Sequence, residues 1–348
     1  MKRFLVLVTT VLLASTMLFA APIGAPAATV RLTKTTPISV SDLEAEVDRY
    51  KASAVQNGTD PASVDPLQIL GLLINNELFR QGAARDGVKI TDAMIDQAYA
   101  TQKTNIESNY GQKLSDEEFK QVINANFGTV ESYKKMIGEQ LMVDTYVRMK
   151  KAAELNKPVS ISETEVSSFY RKNKTQFVSP ETVKISHIFI PFTEDKETNA
   201  KNKDTMTRVA QQLRSKSLTF EKAVVQYSQD APSKTKAGDI GWLTMDDKQA
   251  LQGLGEAFFD VAFSTEVGDT SDVVESKTGL HIIKILAYNE TKILGLDDQI
   301  NPDTTTTIRD YITAQLTGAK QQEVYYAAIN SLVEDLRKSA SVNILYKK

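Results

Sequence analysis

Two strand-like stretches decide how this chain is read: "VKISHIFI", residues 183–190, and "TGLHIIKI", residues 278–285. Each is an apolar run of the kind that pairs inside a sheet, and each is interrupted by an imidazole, His187 in the first and His281 in the second. The 348 residues hold no other histidine. A lone histidine in such a run is ordinarily a core residue with its ring nitrogens hydrogen-bonded, because an unsatisfied buried polar group is costly. Two in adjacent strands have a further option. One imidazole donates to the other, so both are satisfied without a metal.

Around these strands, the character of the chain changes at Pro180. After the first strand, "TEDKETNAKNKDTMTRVAQQLRSKS" leads into a polar helix, and "TFEKAVVQYS" makes a shorter amphipathic one. A Gly-punctuated loop, "GDIGWL", the helix "EAFFDVAF", a Gly268-Asp269 turn and "SDVVES" precede the second strand. The pattern predicts an α+β domain over 179–289, with an antiparallel or mixed sheet and surrounding helices.

The flanks read as helix. Ser41 with Glu44, Ser115 with Glu118 and Ser162 with Glu165 have the spacing of capping boxes, and further helices start at Thr91 and Thr129. Asp65 and Pro66 open a helix that ends near Gly87, with Leu67, Leu70, Leu73, Ile74 and Leu78 at helical spacing and Ile69 and Leu72 widening the stripe. From about Thr304 to Ser339, Ile308, Ile312, Leu316, Val324, Ala328, Leu332 and Leu336 fall near one helical face, and "SVNILY" then alternates like a strand. An isolated helix leaves such a face in water, so residues 290–348 are expected to pack back on a helical module spanning 29–178. The α+β domain is then an insertion in an all-α module.

Residues 1–28 read as a secretory signal peptide. Lys2 and Arg3 precede an apolar stretch from Phe4 to Phe19, and small residues around Ala21 or Ala27 and Ala28 offer cleavage points. A membrane anchor is the alternative, but the apolar stretch falls short of the ~20 residues that span a bilayer core. The sequence has no cysteine, which excludes disulfides and a lipid on an N-terminal cysteine. The expected destination is the periplasm, as a protein that is not a lipoprotein.

Composition excludes several classes. With 41 basic and 44 acidic residues interspersed, nothing favours nucleic acid. There is no Gly-x-Ser-x-Gly elbow, Walker loop or Gly-x-Gly-x-x-Gly motif. Two histidines without a cysteine pair fall short of a structural zinc set, although Asp or Glu can complete a metal site.

Three separated motifs, "VKISHIFI", "TFEKAVVQYSQDAPSKTKAGDIGWL" and "GEAFFDVAFSTEVGDTSDVVESKTGLHIIKI", resemble the parvulin family of peptidyl-prolyl cis-trans isomerases over about residues 180–289. The layout of the flanks is similar to that of the SurA and PrsA group of extracytoplasmic foldases. The resemblance implies catalytic positions at His187, Asp230, Thr278 and His281, and a proline-binding floor at Ile240, Leu254 and Phe258 with Phe263 behind it. It implies no cofactor and no metal. The implied partners are unfolded or newly exported polypeptides with X-Pro bonds, outer-membrane proteins among them. Ala237-Gly238 replaces the double glycine of many relatives, and "TEDKETNAKNKDT" lacks the basic cluster of phosphate-reading parvulins. Another class of function also fits: a non-catalytic holding chaperone whose helical module presents Phe127, Tyr133, Met136, Met142, Tyr146 and Met149 to clients.

Overall fold

The computed structural model describes residues 24–347 and divides into two compact units, 1–159 with 319–348, and 160–318. The signal-peptide reading of residues 1–23 lies outside the described residues. Ala27 and Ala28, at the end of the 1–28 span read as a signal peptide, are fully buried in strand β1 (Pro26–Arg31).

In the first unit, β1 pairs antiparallel with β2 (Thr35–Ser39), and helices α1 (Val40–Gln56), α2 (Pro66–Arg85), α3 (Asp92–Tyr110), α4 (Asp116–Phe127), α5 (Val130–Lys150) and α6 (Ala152–Leu155) follow. The caps at Asp65, Thr91, Ser115 and Thr129 form as their sequences dictate. The first helix starts earlier than expected: Ser39, not Ser41, is its N-cap, and Asp42, not Glu44, completes the box. Leu70, Leu73, Ile74 and Leu78 are buried as predicted, whereas Leu67 and Leu72 are exposed.

The second unit opens with α7 (Glu163–Asn173), β3 (Val178–Ser179), β4 (Thr182–Pro191) and α8 (Lys196–Arg214). It continues through α9 (Phe220–Tyr227), α10 (Ala231–Lys234), β5 (Asp239–Thr244), α11 (Lys248–Leu254), α12 (Glu256–Ser264), β6 (Val274–Glu275), β7 (Gly279–Asn289) and β8 (Lys292–Ile293). It is wider than the 179–289 span expected from strand pattern. Val166 of α7, Phe177, Leu294 and the start of α13 (Ile308–Lys338) share a small core of their own, and β3 pairs with β8. The later part of α13 places Ala328, Leu332, Val333 and Leu336 in the first unit's core, and β9 (Ser341–Ile344) adds to β1. The helical module therefore carries a three-stranded sheet ordered β2-β1-β9.

The second unit's main sheet is antiparallel, in the order β5-β4-β7-β6. Its strands have a side-chain period of two, so alternate residues face opposite sides. Ile188, Ile190, Leu280 and Ile282 pack with α8 and α9. Val183, Ile185, Ile283 and Ile285 pack on the other side with Phe258, Phe259 and Ala262 of α12. His187 and His281 share the parity of that second group.

Candidate active site

Register brings the two histidines together. Phe189 is the residue opposite His281, and Ile283 is opposite His187, which makes the imidazoles diagonal neighbours on the face toward α12. Their Nδ1 atoms lie 3.2 Å apart, and both rings are buried. Two glycines permit this packing. A Cβ on Gly279 would stand 2.3 Å from the Ile190 carbonyl oxygen, and one on Gly238 would stand 2.5 Å from that of His187. Ala237, beside Gly238, holds a left-handed backbone at φ 55°, a conformation that costs an L-residue about 1 kcal/mol.

The proton positions follow from the partners. Asp230 Oδ2 lies 3.1 Å from His187 Nε2, and an ionised carboxylate only accepts, so Nε2–H donates. His187 Nδ1 then accepts from His281 Nδ1–H, and His281 Nε2 accepts from Ser276 Oγ–H at 2.8 Å. Ser276 Oγ receives the backbone N–H of Thr278 and of Gly279, and Thr278 Oγ1 lies 3.0 Å away. The relay thus runs Asp230, His187, His281, Ser276, Thr278. All four sequence-derived catalytic positions belong to it, with Thr278 joined to His281 through Ser276 rather than directly.

Burial, reinforced by the neighbouring His187, pushes His281 down to about 3, against the opposing charge of Asp230. Burial also lowers His187, against the opposing hydrogen bond and charge of Asp230. Burial raises the Asp230 carboxyl, but hydrogen bonds with Ser233 and His187 and the His187 charge outweigh it, leaving the group below its usual value. At neutral pH the relay therefore holds two neutral imidazoles and one carboxylate. Asp230 has a second fixed role as N-cap of α10, accepting from Ser233 N–H.

The proposed floor residues are distributed unevenly. Phe258 meets His281 edge-on at 4.9 Å between centroids but is fully buried, so it supports the imidazole from within the core. Leu254 is half-buried, and Phe263 stacks on Phe259 at 6.0 Å. Ile240 is exposed and lines a surface cleft of about 500 Å³ together with Asp230, Lys184, Lys236, Asp239 and Asp303. Two residues of the site were not singled out from sequence. Ser276 joins Thr278 to the imidazoles, and half-buried Phe189 lies 4.7 Å from the His281 ring and 5.6 Å from that of His187. The strand parity that pairs His187 with Phe189 is the signal for the latter. No ring nitrogen of either histidine is left for a metal, and among the described residues no group of three or more potential ligands gathers around one point.

Residues 187–287 match the model of the PPIC-type PPIase domain. The chain carries a parvulin-type isomerase domain. Residues 2–147 match the SurA-like N-terminal domain. Among curated relatives, the chaperone SurA of Nitrosococcus oceani is 28% identical over 252 residues, 71% of this chain and 55% of that relative, so the match spans about half of the relative's length. The foldase PrsA of Clostridium botulinum is 23% identical over 293 residues, 84% of this chain and 77% of the relative. Among solved structures, the peptidylprolyl isomerase PrsA of Bacillus anthracis is similar at 20% identity, covering 76% of this chain and 97% of that one with a TM-score of 0.28.

Proposed function

We propose that this parvulin-domain chain is an extracytoplasmic foldase. Its second unit isomerises X-Pro bonds in unfolded or newly exported polypeptides, and its first unit binds such clients. The observation that carries this reading is the relay, which begins at a half-buried Asp230 in a surface cleft and ends at an exposed Thr278. An X-Pro bond resists rotation with a barrier of ~18–20 kcal/mol that comes from amide resonance, so catalysis requires relief of planarity rather than a nucleophile or cofactor. Lowering that barrier by ~4 kcal/mol speeds the reaction about a thousandfold.

Leu254, Ile240 and Phe189 offer apolar surface for the proline ring, while the Asp230 carboxylate and the Thr278 hydroxyl stand as polar groups near the rotating amide. The neutral imidazoles fix those groups in place and transfer no proton; the site is preorganised in the manner of other electrostatic sites. The cysteine-free sequence and the N-terminal apolar stretch support a location outside the cytoplasm, with exported and outer-membrane proteins as the client class. No helix among the described residues is long and apolar enough to cross a membrane.

The buried state of Phe258 favours a second reading, in which the domain is catalytically silent and the chain only holds clients. An isomerisation assay on an unphosphorylated, uncharged X-Pro peptide separates the two. The foldase reading expects turnover above the spontaneous rate that falls at least tenfold in Asp230→Ala and in Leu254→Ala. Wild-type protein no faster than the spontaneous reaction leaves only the holding chaperone.

A further inference from the structure

The relay connects two clefts. Asp230, at its start, lines the first. At its other end Lys277, between Ser276 and Thr278 in sequence, lines a second cleft of about 490 Å³ with Lys248, Leu251 and Glu256. The Lys277 N–H bonds the Leu254 carbonyl at 3.2 Å, so the second cleft adjoins the half-buried leucine that would receive the proline. The two clefts thus adjoin opposite ends of the relay.

The clefts carry opposite net charge. In the first, Asp230, Asp239 and Asp303 face Lys184 and Lys236, three carboxylates against two ammonium groups. Lys184 is occupied by Asp239 at 3.4 Å, and Asp230 by His187, while no side-chain bond or ion pair engages Asp303 among the described residues. Asp303 comes from the segment between β8 and α13, beyond the matched domain ending at 287. In the second cleft, Lys248 and Lys277 outnumber Glu256. The Lys277 ammonium also bonds the Gln252 carbonyl at 2.9 Å, which holds its charge at the rim.

We propose that the two clefts are one client track that selects segments with opposite charges on the two sides of the proline, a basic side chain over Asp303 and an acidic one over Lys248 and Lys277. This rests on the isomerase reading and deepens it. Asp303 and Lys277 are then specificity residues that touch the client's flanks and take no part in amide rotation.

The test uses the full chain and two isomeric X-Pro peptides, each with one lysine and one glutamate a few residues either side of the proline in exchanged order, alongside an uncharged parent. Exposed ion pairs are individually weak and screened by salt, so the expected discrimination in kcat/KM is about threefold to tenfold at low ionic strength, shrinking as salt is added. The double exchange Asp303→Lys with Lys277→Glu inverts the preference, and measurable turnover of the uncharged peptide by the same variant shows that it is folded. Lys248→Glu alone weakens it. Equal kcat/KM for the two isomers, or a preference that survives the double exchange, overturns the inference. If even the uncharged peptide is not turned over, the isomerase reading fails separately. The same pair is then compared by binding through the fluorescence of Trp242, the sole tryptophan, next to Gly241 of the first cleft. There equal affinities overturn the charge track, and unequal, invertible ones uphold it.

Discussion

Each unit buries a polar group among apolar neighbours, and the two groups end differently. In the first, Gln81 is 3% exposed and its Oε1 accepts the backbone N–H of Leu32, Thr33 and Lys34 at the turn between β1 and β2, while its Nε2 donates to Glu77 at 2.8 Å. Each of those bonds closes on the protein's own backbone or on a neighbouring side chain, so Gln81 is a staple. In the second, the imidazoles are as deeply buried, yet the chain of bonds through them leads outward to a half-buried Asp230 and an exposed Thr278. A buried polar residue is a sign of packing when its partners are internal and a sign of a site when they reach a cleft.

Substitutions sharpen that contrast. The largest effect is expected at Phe258: Phe258→Ala empties a fully buried aromatic site and should destabilise the second unit by about 3–5 kcal/mol in denaturant titration followed by Trp242 fluorescence. It is therefore a poor probe of chemistry, and Leu254→Ala serves better. Gln81→Ala leaves three backbone donors without their acceptor and should cost about 2–3 kcal/mol, seen in the helix circular-dichroism transition and much less in that of Trp242. Loss of isomerase turnover in Gln81→Ala under conditions where it is folded would contradict its role as a staple.

Acid provides a smaller, graded test. Because folding lowers His281 from 6.5 to about 3 and lowers His187 as well, the unfolded chain binds these protons more readily. Stability of the second unit should fall as pH drops below about 6.5 and continue falling toward pH 3. Asp230, lowered in the fold, adds to the loss at the acid end as it is protonated. His281→Phe should flatten the limb between pH 6.5 and 3; an unchanged limb would place the acid sensitivity elsewhere.

Much of this was legible in sequence because it is local. Capping residues at Asp65, Ser115 and Ser162 act within one turn, and the two interrupted strands announce their histidines. What was not legible depends on choices that sequence leaves degenerate. Ser41 with Glu44 has the commoner capping-box composition and Ser39 with Asp42 only its spacing, yet the structure uses the latter because β2 runs up to Ser39. Phe258 and Phe259 are adjacent on one helix, and only tertiary packing shows that both are covered. Ser276 sits in a turn-like stretch, and its bond to His281 requires β7 to return past it. Asp303 lies in a segment whose proximity to Asp230 no periodicity reveals.

The central claim is that two neutral imidazoles, each in one tautomer, hold the site in shape without moving a proton. With only two histidines in the chain, nitrogen NMR of the side chains reads this directly. The account predicts, near pH 7 and with or without a saturating X-Pro peptide, a proton on Nε2 of His187 and on Nδ1 of His281, both rings uncharged. A charged ring, or tautomers that exchange when the peptide binds, would contradict it.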